Sequence, residues 1–218
     1  MVKLVVTRMP HIIWDWNGTL LDDVGPCVST INVILCRRGK PPLTVRRYRE
    51  VFCFPVRRYY EHLGLYLTAD EWARIAVEYH DLYRVKAARA PLRRGILTVV
   101  ETFHRRGFAQ SILSASEVNL LEQMVRARAI RDRFTCVAGL RDYYAHSKID
   151  LGRELLAAAG GDPAATVLIG DTIHDWEVAT DLGCRCILLA GGHQDLARLR
   201  ACGAEVVRHP AELAGKVI

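Results

Sequence analysis

The sequence predicts an α/β protein built on a doubly wound, mostly parallel sheet, with a helical segment inserted after the first strand. Three short apolar segments, residues 11–14, 108–113 and 166–169, carry β-branched or aromatic residues, and a helix-like stretch follows each of them. This alternation is typical of parallel strands joined by crossover helices. Residues 22–90 interrupt it, because they have the pattern of several consecutive helices.

Prolines divide the inserted segment into its helices. Pro41, Pro42 and Pro55 mark the breaks, since proline ends or kinks a helix. Pro91 and Gly95 then mark the return to the α/β body. We predict the inserted helices at about residues 24–38, 44–50, 55–63 and 69–88.

The α/β body is predicted to consist of residues 1–21 and 91–218, on either side of an inserted helical domain at residues 22–90. Ligands of doubly wound sheets lie at the carboxyl ends of the strands. A domain inserted directly after the first strand would therefore hang over the ligand site as a lid. Further strands are predicted at residues 134–138, 185–189 and 205–207, and helices at 96–106, 117–129, 148–159, 175–182 and 195–201.

Composition argues against several classes of protein. The chain has 218 residues, of which 50% are hydrophobic and 25% charged, as in one large globular domain or a domain with an insertion. No apolar run approaches the roughly 20 residues that cross a bilayer, so no membrane association is expected. The net charge is +6, but the arginines are scattered without a recognition motif, so nucleic acid is not an expected partner. Seven cysteines without a CxxC pair predict reduced thiols and a cytoplasmic protein. The oligomeric state is left open.

Polar side chains follow three of the predicted strands, namely Asp15, Ser114 and Asp171. Because these strand ends meet at one edge of a parallel sheet, we expect the three side chains to converge in one crevice. The turn after Asp15 contains Gly18 and Thr19, and the free N–H groups of such a turn can receive phosphoryl oxygens. A strand-to-helix turn with a capping aspartate is the alternative interpretation.

Asp171 and Asp175 lie four residues apart after the third of these strands. Two carboxylates suit Mg²⁺, which usually binds one or two of them together with water and substrate phosphate oxygens. Capping of the next helix is the alternative role for this pair. Lys148, near the start of a predicted helix, could neutralise a phosphate and a carboxylate together, although a single lysine can equally be a solvated surface residue.

In order and spacing, these motifs resemble those of the haloacid dehalogenase-like (HAD) hydrolase superfamily. The first motif is Asp-Trp-Asn-Gly-Thr at residues 15–19, the second is Ser114, the third is Lys148, and the fourth is Gly-Asp-Thr-Ile-His-Asp at 170–175. The inserted helices resemble the superfamily's α-helical cap, and Phe-Pro-Val-Arg at residues 54–57 is similar to phosphoglycolate-phosphatase-like members. The resemblance spans roughly residues 10 to 215.

The resemblance implies a Mg²⁺-dependent phosphatase that hydrolyses a small phosphorylated metabolite. Asp15 would be the nucleophile and would form an aspartyl-phosphate, with Asn17, Ser114 and Lys148 as further catalytic residues. The ligands of Mg²⁺ would be Asp15, the backbone carbonyl of Asn17, Asp171 and Asp175. The residues implied to bind substrate are Trp16, Gly18, Thr19, Ser114, Ala115, Lys148 and Arg57.

Asn17 departs from the superfamily pattern, in which an aspartate at this position protonates the leaving oxygen and later activates water. An amide cannot transfer a proton. Three explanations remain open: the leaving group needs little protonation, another group such as His174 or His11 supplies the proton, or the protein mainly binds its ligand. The alternative functions are therefore a weakly active or non-catalytic phospho-ligand-binding protein, or related chemistry on the same body: phosphotransfer, or hydrolysis of a C–P or C–halogen bond.

Overall fold

The computed structural model describes residues 10–144 and 147–217. Its centre is a six-stranded sheet in the order β3-β2-β1-β4-β5-β6. Every neighbouring pair of strands is parallel, so the predicted fold class is confirmed and the sheet is wholly rather than mostly parallel. The strands are β1 His11–Trp14, β2 Ala109–Glu117, β3 Cys136–Leu140, β4 Thr166–Gly170, β5 Arg185–Leu189 and β6 Glu205–Val207.

Four helices lie between β1 and the rest of the body, as the proline pattern predicts. They are α1 Val24–Arg37, α2 Val45–Val51, α3 Val56–His62 and α4 Ala69–Ala87. We call them the inserted helices. Helix α4 begins with a capping box, in which the hydroxyl of Thr68 accepts from the N–H of Glu71 and the Glu71 carboxylate accepts from the N–H of Thr68. Helices α1 and α4 pack against each other.

The body helices follow the predicted positions within about two residues. The exceptions are the C-terminal helix α10, which the sequence analysis does not predict, and two short 3₁₀ turns at Arg131–Arg133 and Pro163–Ala165. The helices are α5 Ile96–Arg105, α6 Val118–Ala127, α7 Ile149–Ala158, α8 Ile173–Leu182, α9 Leu196–Ala201 and α10 Pro210–Val217.

Both faces of the sheet are buried, as a parallel sheet requires. Side chains of β1 alternate between two hydrophobic clusters: Ile12 and Trp14 join one, and Ile13 joins the other. The first cluster continues without a break into the inserted helices, where it includes Tyr48 and Ile75. The core of the sheet therefore anchors the inserted helices directly.

Strand β2 is longer than its apolar segment indicates. It runs to Glu117, although its register against β3 shifts between Leu113 and Glu117. Ser114 therefore lies within an irregular part of the strand rather than at its end. The sequence pattern misses this extension because the residues after Leu113 are small or polar and leave the regular ladder. Among the described residues, no helix combines the length and the apolar character that a membrane crossing would need.

Candidate active site

Three carboxylates meet at the carboxyl ends of β1 and β4. Asp15 follows β1, Asp171 follows β4, and Asp175 lies in the first turn of α8. One oxygen of each lies within 4.8 Å of the others, and all three residues are buried. The backbone N–H of Asp15 donates to the carbonyl of Ile169 at 2.8 Å, which fixes the two strand ends relative to each other.

Two hydrogen-bond donors orient Asp171, and two glycines leave room for its carboxylate. The hydroxyl of Thr19 donates to its Oδ1 at 2.8 Å, and the backbone N–H of His193 donates to its Oδ2 at 2.6 Å. A Cβ atom on Gly18 or Gly192 would overlap this carboxylate. Gly18 also has φ +74°, a conformation that other residues rarely adopt. Glycine at these two positions lets the backbone approach Asp171 closely.

Asp175 caps α8 and faces the site at the same time. Its Oδ2 accepts from the backbone N–H of Thr172 at 2.9 Å and from the Thr172 hydroxyl at 2.7 Å. Its Oδ1 lies 2.7 Å from the Nζ of Lys148. Although burial alone raises the pKa of Asp175, Lys148 and Thr172 hold it below its ordinary value. The capping role and the site role of Asp175 are therefore compatible.

Lys148 lies between two of the carboxylates and is 3% exposed. Its Nζ contacts the Asp15 carboxylate and also donates to the carbonyl of Leu113 at 3.2 Å. Burial opposes the charge on Lys148, but Asp15 and Asp175 outweigh it and raise its pKa. Burial raises the pKa of Asp15 well above its ordinary value, and Asp175 and Asp171 add to that effect against the attraction of Lys148.

The three carboxylates fit a divalent cation. Carboxylate oxygens are the ligands that Mg²⁺ prefers. Here they are buried, close together, and faced by the single ammonium of Lys148. Burial also raises the pKa of Asp171 against the attraction of His193, and Asp175 adds to the rise, so the positive charge near Asp171 does not fully offset its burial. A bound divalent ion would supply the missing charge.

Asn17 sits in a network of polar side chains beside the carboxylates. Its Nδ2 donates to Asp23 Oδ2 and to the Tyr83 hydroxyl, both at 2.7 Å. Its Oδ1 accepts from the hydroxyl of Ser116 at 2.6 Å and from that of Ser114 at 3.3 Å. Every hydrogen-bonding atom of the amide therefore has a partner, and the network joins β1, β2 and α4.

Asp23 and His193 form a buried ion pair behind Asn17. His193 Nε2 lies 3.3 Å from Asp23 Oδ1, and the other ring nitrogen, Nδ1, lies 2.8 Å from the Tyr48 hydroxyl. Burial opposes the charge on His193, but Asp23 outweighs it and raises the pKa of His193 to about 9. Conversely, His193 holds the pKa of Asp23 below its ordinary value despite complete burial.

A cavity of about 120 Å³ opens onto Asp15, Asn17 and Lys148, and its remaining wall is formed largely by the inserted helices. Contacts between the inserted segment and the body hold this wall in place. Arg49 Nε donates to the carbonyl of Gly192 at 2.8 Å, and Arg198 Nη1 donates to that of Phe52 at 2.7 Å. Asp15 therefore lies at the base of a partly open cavity, and Asp171 and Asp175 lie behind it.

Residues 12–189 match the model of a family described as haloacid dehalogenase-like hydrolase. The chain belongs to this family. A phosphoglycolate phosphatase of Caulobacter vibrioides is 28% identical over 207 residues, covering 91% of this chain and 86% of that protein. An N-acetylmuramic acid 6-phosphate phosphatase of Pseudomonas aeruginosa is 27% identical over 214 residues, covering 94% and 93%. A solved structure described as a predicted phosphatase from Clostridium acetobutylicum has a TM-score of 0.85 at 17% identity, covering 97% of this chain and 99% of that one.

The structure brings together most of the residues that the family resemblance implies. Ala115 lines the cavity beside Ser116. The hydroxyl of Ser114 accepts from the N–H of Ser116 at 3.1 Å and points toward Asn17. The hydroxyl of Thr19, by contrast, is directed at Asp171, so Thr19 positions the proposed metal ligand rather than contacting substrate.

Two residues implied to bind substrate, Gly18 and Arg57, do not present the expected groups, whereas Trp16 is implied to contribute only its backbone. The Trp16 side chain is fully buried and lies 5.8 Å below the guanidinium of Arg128, so only its backbone faces the site. The N–H of Gly18 already donates to Asp23 Oδ1 at 2.9 Å. Arg57 is exposed outside the cavity, and its guanidinium donates to the carbonyl of Leu67.

The two histidines considered as proton donors are also engaged elsewhere. His11 is at the start of β1, the end opposite Asp15, where its Nε2 lies 3.0 Å from the Ser111 hydroxyl. His174 Nδ1 pairs with Glu177 at 3.1 Å. Sequence reasoning missed Asp23, Tyr48 and Tyr83, because a buried aspartate or tyrosine in a helical segment has no local pattern that distinguishes it.

Proposed function

We propose that this hydrolase is a Mg²⁺-dependent phosphatase that releases phosphate from a small phosphorylated metabolite through an aspartyl-phosphate on Asp15. One observation carries the proposal: the Asp15 carboxylate contacts Lys148 and lies within 4.8 Å of the carboxylates of Asp171 and Asp175. This arrangement brings together a carboxylate suited to act as nucleophile, a buried cation and two carboxylates suited to bind a metal. The phosphatase names of the relatives support the same reaction.

Each residue of the site has a distinct role in the proposed phosphoryl transfer. An oxygen of Asp15 attacks phosphorus, the bond to the ester oxygen breaks, and water later hydrolyses the resulting acyl phosphate. Lys148 offsets the repulsion between the anionic nucleophile and the anionic substrate, and the Ser114 hydroxyl can turn to a phosphoryl oxygen. Mg²⁺, held by Asp15, Asp171, Asp175 and the Asn17 carbonyl, would supply further charge neutralisation. Positioning and charge neutralisation are the main requirements of this reaction.

We further propose that residues 22–90 form a cap over a body made of residues 1–21 and 91–218. The polar contacts of Tyr48 and Arg49 with the loop after β5 support this, because they hold the inserted helices against the edge of the sheet at which the carboxylates lie. Opening would admit substrate, and closure would exclude bulk water during transfer.

Two alternatives are less well supported. Hydrolysis of a C–P bond through an imine needs a lysine of the cap, but Lys40 and Lys86 do not line the cavity, and Lys86 donates to the Ser29 hydroxyl at 2.7 Å. Dehalogenation does not require the paired carboxylates of Asp171 and Asp175. A protein that only binds a phospho-ligand remains the alternative suggested by Asn17.

Phosphate release tests the proposal directly. The protein is incubated with p-nitrophenyl phosphate and a panel of phosphate esters, with Mg²⁺ or with a chelator, and inorganic phosphate is measured. We expect release that depends on Mg²⁺. Halide release from haloacids, or binding of every ester without release of phosphate, would contradict the proposal.

Thr19→Val is expected to raise the Mg²⁺ concentration for half-maximal activity about 10-fold, with little change in kcat at saturating Mg²⁺. The reason is that the substitution keeps the shape of the side chain but removes the donor that orients Asp171 at 2.8 Å. Thr30→Val is the matched control, because the buried hydroxyl of Thr30 has no hydrogen-bond partner among the described residues. An unchanged Mg²⁺ dependence in Thr19→Val would show that the Thr19 hydroxyl does not position a metal ligand.

A further inference from the structure

The wall of the cavity above the carboxylates is strongly aromatic. Thirteen residues of the inserted segment line it, and eight of these are phenylalanine, tyrosine or tryptophan. We call these thirteen residues the aromatic wall. Several of the rings already meet edge to face, such as Tyr48 with Tyr59 at 5.7 Å and Tyr60 with Trp72 at 5.3 Å. A further flat ring can pack against such a surface in the same way.

The aromatic wall contains no lysine, arginine, aspartate or glutamate. No arginine of the inserted helices lines the cavity. Three of them bind elsewhere: Arg38 pairs with Glu78, Arg49 donates to the Gly192 carbonyl, and Arg57 donates to the Leu67 carbonyl. At the base of the cavity, Lys148 lies between carboxylates and His193 is paired with Asp23. A carboxylate on the substrate would thus enter an apolar space without a free cation, which is strongly unfavourable.

The wall offers few polar atoms. Among the described residues, the Tyr59 hydroxyl and His80 Nδ1 are buried without a hydrogen-bond partner, whereas two other hydroxyls are committed. The hydroxyl of Tyr48 pairs with His193, and that of Tyr83 donates to Asp23. These two atoms could serve one or two polar substituents, but a leaving group with several hydroxyls would lose its hydration in this space without regaining as many hydrogen bonds. The cavity volume of about 120 Å³ is instead comparable to the roughly 150 Å³ of an apolar cavity that holds one benzene molecule.

Asn17 points to the same kind of leaving group. An alkoxide needs a proton as it departs, whereas a phenolate, whose conjugate acid has a pKa near 10, is a far better leaving group. The amide of Asn17 can donate a hydrogen bond but no proton. A site without an acid at this position is suited to an ester whose leaving oxygen is attached to an aromatic ring.

We propose that the substrate is a phosphate monoester of a phenol-like hydroxyl, whose single flat, apolar ring packs against the aromatic wall. This rests on the proposed phosphatase function. In the reaction, a bond forms between an Asp15 oxygen and phosphorus, and the bond between phosphorus and the aryl oxygen breaks. The electron pair of the broken bond stays on the aryl oxygen. The resulting phenolate takes its proton from water after release.

Binding of non-hydrolysable phosphonates tests the substrate class apart from reactivity. Benzylphosphonate mimics phenyl phosphate, and 3-phosphonopropionate mimics a phosphate ester that carries a carboxylate. We expect benzylphosphonate to bind the Mg²⁺-loaded protein at least 10-fold more tightly, as measured by calorimetry. Equal or tighter binding of 3-phosphonopropionate would overturn the inference. If benzylphosphonate binds tightly but no ester, p-nitrophenyl phosphate included, releases phosphate, the proposed function fails while the ligand class is upheld.

Two adjacent residues of α4 give a matched pair of variants. Ala76 is 5% exposed and lines the cavity, whereas Val77 is 49% exposed and lies outside it. Ala76→Arg is expected to weaken benzylphosphonate at least 10-fold and to strengthen 3-phosphonopropionate, whereas Val77→Arg changes neither. Val56→Arg, at a half-buried position of the wall, gives the same test if Ala76→Arg does not fold. Unchanged binding of both phosphonates in folded wall variants would contradict the proposed packing.

Discussion

Asp15→Asn is expected to lower kcat for phosphate release by about 10⁴-fold or more, the scale of loss seen when an enzyme's nucleophile is removed. The amide keeps the size of the carboxylate but cannot attack phosphorus. It also removes one of the three negative charges that would attract the cation. Release of phosphate from p-nitrophenyl phosphate in saturating Mg²⁺ measures the loss.

Loss of folding would not explain this result, because the same substitution replaces a buried negative charge with a neutral group. Burial and the carboxylates of Asp175 and Asp171 raise the pKa of Asp15, which means that its ionised form is disfavoured in the metal-free fold. We therefore expect the melting temperature of metal-free Asp15→Asn to be no lower than that of the wild type. Asp22→Asn, at an exposed position seven residues away, is the control and should keep full activity. More than about 1% residual activity in Asp15→Asn would place the nucleophile elsewhere.

Local sequence patterns are sufficient to predict the sheet and its two strand-end carboxylates. Asp15 and Asp171 each follow an uninterrupted apolar segment, so their positions at one edge of the sheet follow from the parallel architecture alone. The inserted helices can be predicted from the sequence equally well, since Pro41, Pro42 and Pro55 lie between the helices that the structure shows.

The orientation of individual side chains cannot be predicted from the sequence in the same way. Thr19 and Trp16 both belong to the first motif. The Thr19 hydroxyl donates to Asp171, and the Trp16 indole is buried beneath Arg128. Both depend on residues more than 100 positions away, which no local spacing encodes. Arg57 looked suited to substrate because of its neighbours in sequence, but its place in the first turn of α3 directs it to Leu67.

The contacts of Asn17 could not be predicted from the sequence either, and they lead to a specific prediction for Asn17→Asp. The sequence identifies the missing aspartate, but only the fold shows that Asp23 Oδ2 is 2.7 Å from the Asn17 Nδ2. Asn17→Asp would therefore place a second carboxyl group against a buried carboxylate. Two carboxyl groups at this distance cannot both ionise readily, so the new group should keep its proton to a higher pH than usual.

A carboxyl group that retains its proton near neutral pH is suited to act as a general acid. We expect Asn17→Asp to raise kcat for benzyl phosphate, whose alkoxide needs protonation, by about 10²-fold, the lower end of the effect of general acid catalysis. The rate with phenyl phosphate should change by less than about 3-fold, because a phenolate leaves with little assistance. Both esters carry one ring, so the difference between their changes in kcat reports protonation of the leaving group rather than fit to the cavity.

The double variant Asn17→Asp, Asp23→Asn separates the proton from other effects of the substitution. Without the charge of Asp23 the new carboxyl group should ionise at lower pH, so the gain with benzyl phosphate should move to lower pH and shrink at pH 7. If Asn17→Asp leaves the benzyl phosphate rate unchanged while the protein stays folded, position 17 does not reach the leaving oxygen. The amide found there would then serve to join Asp23, Tyr83 and the serines of β2 rather than to face the bond that breaks.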